Sequence, residues 1–369
     1  MKQKNSFSGQ IGFVFAAAGS AVGVGNLWRF PYLAAKDGGG LFLLIYLVLV
    51  LTVGFVLLTT DIAIGRKTGK SAIYAYESMQ KKWKFLGVIT FLVPVLIMTY
   101  YAVIGGWILR YIVIYLTSSG KQAVADDCFT AFISSPSSVW YGLIFMLLTA
   151  LIVYNGVEDG IERVSKFIMP VLLIMVIGIA IFSLTLKTTL DDGTVRTGLQ
   201  GLKVYMKPDL TGITVGRFLQ ITLDAMSQLF FSLSVSMGIM ITYGSYVKKD
   251  VDLNKAVSQI EIMDTGVAFL AGVMIIPAVF VFSGLDGMSA GPGLMFVSLP
   301  KVFYSMGTVG RVIGILFFVL AGFAALTSCI SVLESITANC MELFHTERKK
   351  TTRVLSVIYL IATAVIALG

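Results

Sequence analysis

Runs of about twenty apolar residues, repeated along nearly the whole chain, constrain it more than any other feature. A helix needs roughly 20 apolar residues to cross about 30 Å of hydrocarbon. Nine segments reach or approach that length: 11–34, 40–64, 85–116, 138–154, 167–186, 214–243, 256–284, 309–341 and 353–369. The runs are continuous rather than alternating, which excludes a transmembrane β-barrel. Only 13% of the residues are charged, against about 25% in a soluble domain, too few to coat a water-facing surface. The sequence therefore predicts an all-α polytopic membrane protein.

The net charge of +8 invites a nucleic-acid reading, which its distribution refutes. With the N-terminus in the cytoplasm, seventeen Lys and Arg fall in the inner segments and eight in the outer ones. That bias is a topology signal. Cys128, Cys329 and Cys340 form no metal spacing or disulfide framework. Residues 1–10 read as a polar tail, and the first apolar run is too long for a signal-peptide core. Gly and Pro cluster in the outer loops 117–137, 187–213 and 285–308, where they mark turns.

Two runs carry residues that hydrocarbon penalises. The first contains GSAVGVGNLWRFP at residues 19–31, and the sixth contains QLFFSLSVSMG at 228–238. Small residues at membrane depth also serve close helix packing. Asn26, Arg29 and Pro31, directly after the glycines, go beyond that use. Gly19, Gly23 and Gly25 let the backbone leave helical dihedrals cheaply. Peptide groups freed in this way are tolerated only where they line a polar cavity. The C-terminal end of the first half-helix would then suit a cation, and the N-terminal end of the second a carboxylate. The two interrupted runs lie five spans apart, as in two copies of a five-helix unit, and such paired interruptions point to a transporter binding site.

GSAVGVGNLWRFPY followed by Asp37-Gly38-Gly39-Gly40 resembles the first-helix signature of the neurotransmitter:sodium symporters, whose bacterial members are sodium-coupled amino-acid transporters. Tyr100-Tyr101 in the third run, Gln228–Ser234 in the sixth and Ala324–Ser328 in the eighth extend the resemblance along the chain. It implies a LeuT-like inverted repeat with helices 1 and 6 broken: residues 11–186 as the first five-helix unit and 214–369 as the second, short of its last helix. On that count the chain reads as a fragment. The location implied is a bacterial inner membrane, with the N-terminus cytoplasmic.

The resemblance also implies two sodium sites. One would use Ala21, Asn26, Ser232 and Asp264 together with the substrate carboxylate; the other Gly19, Val22, Ala324, Thr327 and Ser328. Such all-oxygen sets suit a hard cation. The hydroxyls of Thr327 and Ser328 have an alternative in bonding back to their own helix. The substrate carboxylate would meet Val24, Gly25 and Tyr101. Its ammonium would meet carbonyls of Ala21, Phe231 and Ser232, with Ser234 nearby. Ile97, Phe231, Met237, Ser328 and Val332 would line the side-chain pocket, and the adaptable Met237 leads us to expect a bulky apolar or aromatic amino acid. Another small zwitterion or amine is the alternative substrate. Asp264 stands where chloride-requiring members have a neutral residue, so we expect no chloride requirement. A purely structural, hydrogen-bonded acid is the other reading of Asp264.

For the outer gate the resemblance implies Arg29, Gln228, Tyr100 and Phe231, with Arg29 facing an acid on a tenth helix that this chain does not show. For the inner gate it implies Lys4, Phe7, Glu342 and Tyr246. Asp61 and Glu334 are further acids at membrane depth, for which the sequence names no partner. A channel would need a polar stripe through several spans, whereas polarity here concentrates in the first and sixth. An intramembrane enzyme is disfavoured too: His345, the sole histidine, lies in a basic loop, and no nucleophile–base or paired-carboxylate set falls at membrane depth.

Overall fold

The computed structural model describes residues 6–118 and 120–369. Its first membrane segment is two helices, α1 (Gln10–Ala21) and α2 (Val24–Lys36), bent by 53° at the join. Val22 is extended there (φ −71°, ψ 92°), and Gly23 caps α2 without a side chain. Asn26 supplies what Gly23 lacks, its Oδ1 accepting the Gly23 N–H at 3.2 Å, half of a reciprocal cap. The break is thus encoded within eight residues.

Next come α3 (Gly40–Thr68), the short α4 (Ala72–Met79), α5 (Lys84–Ser118), α6 (Ser137–Tyr154) and α7 (Val157–Leu184). α3 contains a π-helical turn at Val50–Gly54, and α7 starts with one at Val157–Glu162. That turn starts α7 ten residues before the 167–186 run, because a helix can begin in polar sequence once Ser8 and Lys166 satisfy Glu162. The segment after α7 is structured: a hairpin pairs Lys187–Thr189 with Val195–Thr197, and Thr197 and Gln200 cap the helix α8 (Gly198–Met206).

The sixth run divides into α9 (Val215–Ser232) and the six-residue α10 (Ile239–Gly244). Between them Ser234, Ser236 and Gly238 take φ of 52°, 61° and 73°, a left-handed conformation that serine adopts only under constraint. α11 (Leu253–Ser283), α12 (Leu294–Ser305), α13 (Thr308–Phe344) and α14 (Arg348–Ala367) complete the described chain.

Among the described residues, seven continuous helices and the bent α1–α2 pair are long and apolar enough to cross a bilayer. The sixth run, α9–α10, falls outside that count, because six unwound residues separate its 18-residue half from its six-residue half. α5, α6, α13 and α14 pack lengthwise on one another, the α1–α2 pair lies against α11 and α13, and the α9–α10 pair lies against α3, with α10 also touching α13. α12 packs on α13, α11 and α2. Its Phe296 stacks on Phe129 at 4.9 Å, meets Trp28 at 6.4 Å, and gives its carbonyl to the Tyr111 hydroxyl at 2.7 Å.

Candidate functional site

The two breaks face each other at the centre of the bundle. Asn26 from α2, Ser232 from the end of α9 and Asp264 from α11 are buried together. The Asp264 carboxylate accepts Asn26 Nδ2 at 2.8 Å and lies 2.9 Å from Ser232 Oγ through either oxygen. Ser232 Oγ is also 3.4 Å from Asn26 Oδ1. Amide, hydroxyl and carboxylate oxygens from three elements therefore converge at one point, a donor set for a hard cation.

A second polar junction joins α1 to α13. Ser328 Oγ donates to the Ser20 carbonyl at 3.1 Å, and a Cβ on Gly19 would stand 3.2 Å from Thr327 Cβ. Thr327 bonds back to Phe323 and Ala324 at 3.0 and 3.2 Å. Of the two hydroxyls, Thr327 takes the back-bonded form and Ser328 reaches across.

Between the junctions lies a cavity of about 30 Å³, lined by Ser20, Ala21, Gly23, Asn26, Ile97, Tyr101, Phe231, Ser234, Met237, Ile239, Ser328 and Val332. The structure brings together eight residues expected at the substrate: Ala21, Ile97, Tyr101, Phe231, Ser234, Met237, Ser328 and Val332. Val24 and Gly25 lie beside it, with Val24 N–H 3.5 Å from the Tyr101 hydroxyl. Gly25 is required by contact, since a Cβ there would sit 2.7 Å from Phe231 Cε1. Ser20, Gly23 and Ile239 line the cavity as well, beyond the expected substrate and sodium contacts. Ser20 is the one hydroxyl within the first break, a signal the sequence did carry; Ile239 reaches the cavity only because Gly238 turns the chain.

Several gate expectations change. Arg29 donates to Ser227 Oγ at 2.8 Å, and Lys36–Asp224 (3.0 Å) and Arg217–Asp37 (2.9 Å) extend the seam between α2 and α9. Among the described residues the Arg29 side chain is thus bonded on the sixth segment. Tyr100 is 41% exposed while Tyr101 is buried, because successive helical residues point about 100° apart. Gln228 is buried, and among the described residues neither of its amide atoms has a hydrogen-bond partner.

Of the residues expected at the inner gate, Lys4 lies outside the described residues. Phe7 packs on Phe13, Tyr243 and Tyr246 and donates its N–H to the Tyr246 carbonyl. The acid bonded to Tyr246 is Glu334, at 2.6 Å, and Arg348 grips the same carboxylate with both Nη atoms at 2.6 and 2.7 Å. Glu342 instead accepts the N–H and hydroxyl of Ser71. Asp61 also gains a partner, accepting the Ser236 N–H at 2.8 Å.

The sequence matches the sodium:neurotransmitter symporter family over residues 4–139 and 128–369. The chain belongs to that family. This symporter is 38% identical over 352 residues to an uncharacterized sodium-dependent transporter of Bacillus subtilis, covering 93% of this chain and 74% of that one. It is 32% identical over 391 residues to another of Methanocaldococcus jannaschii, covering 100% and 76%. The human sodium- and chloride-dependent taurine transporter is 25% identical over 415 residues, with 100% and 66% covered. Among solved structures, MhsT in complex with L-phenylalanine superposes with a TM-score of 0.84 at 37% identity, over 99% of this chain and 81% of that one. The symporter therefore has the fold of that transporter, a place in the membrane and a sodium-coupled mode of work.

Proposed function

We propose that this symporter carries a bulky apolar or aromatic amino acid inward with two sodium ions, without a chloride requirement, across a bacterial inner membrane with its N-terminus inside. The observation that carries the reading is the placement of Asn26, Ser232 and Asp264 beside a cavity walled by Ile97, Phe231, Met237 and Val332. Asn26, Ser232 and the Ala21 carbonyl would hold one ion, with Asp264 giving the negative charge that makes an external anion unnecessary. Gly19, Val22, Ala324, Thr327 and Ser328 would hold the other. The apolar wall matches a large side chain, and L-phenylalanine in MhsT is consistent with that class.

In the transport cycle, the cations and the substrate carboxylate would draw α1–α2 and α9–α10 toward α11 and α13. Ligands shift such an equilibrium only by binding its states unequally. The residues whose contacts must differ between states are Arg29 and Ser227 outside and Tyr246, Glu334 and Arg348 inside. The test is equilibrium binding of tritiated phenylalanine, tyrosine, tryptophan, leucine, alanine and glycine, in sodium and in choline, with chloride or gluconate. The expected result is sodium-dependent, chloride-indifferent binding that favours the large side chains. A preference for glycine or alanine would defeat the substrate assignment.

A further inference from the structure

The segment joining α3 to α5 carries charge that the rest of the molecule leaves unneutralised. Residues 66–84 hold Arg66, Lys67, Lys70, Lys81, Lys82 and Lys84 against one acid, Glu77. Arg66 is spent on the carbonyls of Val251 and Lys249, and Lys84 pairs with Glu77 at 3.1 Å. Among the described residues, Lys67, Lys70, Lys81 and Lys82 have no carboxylate within ion-pair distance. Lys70 and Lys84 approach the ring of Tyr74, their Nζ atoms 5.9 and 5.6 Å from its centroid, so two cations from opposite ends of the segment meet over one aromatic.

Apolar side chains are interleaved with these cations. The run from Ser78 to Leu86 is exposed throughout, with Met79, Trp83 and Phe85 at 43%, 37% and 57%. It ends where α5 enters the membrane, the level at which tryptophan and lysine bridge hydrocarbon and headgroups. The segment is also held firmly: Ser71 is bonded to Glu342, and the Ile73 N–H to Asn339 Oδ1 at 3.1 Å, both on α13. A fixed surface of alternating cations and apolar groups at this height matches a lipid with a phosphate above and acyl chains below.

We propose that Lys70, Lys81, Lys82 and Lys84, with Trp83 between them, form a binding site for an anionic phospholipid in the leaflet on the N-terminal side. A zwitterionic headgroup presents the same phosphate, but its own cation opposes the lysines, so net negative charge is selected. Each lysine near an anionic surface favours it about fivefold. The proposal rests on the membrane location and is independent of the amino acid transported.

The experiment uses the full chain in phosphatidylcholine nanodiscs doped with brominated phosphatidylglycerol or brominated phosphatidylcholine at equal mole fraction. Trp83 fluorescence is read as the difference between the parent and Trp83→Phe. Brominated phosphatidylglycerol is expected to quench at least fivefold more effectively. Lys70→Gln/Lys81→Gln/Lys82→Gln/Lys84→Gln is expected to bring the two lipids to parity, with sodium-dependent amino-acid binding retained as the check on folding. Should that variant fail to fold, Lys81→Gln/Lys82→Gln is expected to give an intermediate preference. Parity in the parent, or a preference that survives the substitutions, would overturn the site; parity in the parent would leave the lysines to a soluble acidic partner.

Discussion

Asp61 and Ser236 lie 175 positions apart, yet the Asp61 carboxylate accepts the Ser236 backbone N–H at 2.8 Å. The bond fastens α3 to the unwound stretch between α9 and α10, where Ser234 and Ser236 hold left-handed dihedrals that cost about 1–3 kcal/mol each. Asp61→Ala would take the charged acceptor from this part-buried N–H, at about 1.5–3 kcal/mol. We expect sodium-dependent amino-acid binding to weaken at least tenfold and the thermal midpoint to fall, while Asp61→Asn, which keeps an acceptor, loses much less. Wild-type binding by Asp61→Ala would show the tether to be idle.

Asp264 is bonded to both Asn26 and Ser232. If its charge helps to hold a cation, Asp264→Asn raises the sodium concentration for half-maximal binding at least tenfold, since about 1.4 kcal/mol is lost per decade. The titration is done by scintillation proximity at saturating amino acid. An unchanged sodium midpoint would remove Asp264 from the cation site.

Gly25 leaves no room for a side chain, with a Cβ falling 2.7 and 2.8 Å from two atoms of the Phe231 ring. Gly25→Ala is therefore expected to reduce amino-acid binding about a hundredfold, through a displaced ring and off-rotamer strain. Because the obstacle is the ring, Gly25→Ala/Phe231→Leu should recover part of the loss. No recovery would mean that the backbone, rather than the ring, sets the requirement.

Glu334 is fully buried and held by a two-toothed grip from Arg348, whose side chain is 11% exposed. Removing one partner of such a pair costs about 3–5 kcal/mol, because the other charge stays buried alone. Arg348→Ala should lower the thermal midpoint sharply. Arg348→Lys should lower it less, since it keeps the charge and loses the fork. Glu334→Gln/Arg348→Gln should be milder than the sum of its singles. Strict additivity would mean that the pair is not coupled.

The sequence by itself determined the architecture and the position of the breaks, because both are written in neighbouring residues. Hydrophobic run length sets which segments enter the membrane, and glycines beside Asn26 and Pro31 set where the first one bends. It also named most of the cavity wall, through a resemblance carried by short motifs. Partnerships across the chain were decided only by the tertiary structure. Tyr100 and Tyr101 are adjacent in sequence, but one helical step sends one outward and the other into the cavity. Glu334 and Glu342 lie two turns apart on α13, and only the docking of Tyr246 and Arg348 gives the first of them its three bonds. The π-helical start of α7 and the left-handed serines after α9 were equally illegible, because each needs a distant group to hold it: Ser8 on Glu162 in one case, Asp61 on Ser236 in the other. Local sequence fixes what a segment can do cheaply, whereas a costly conformation or a buried charge persists only where the assembled fold supplies its partner.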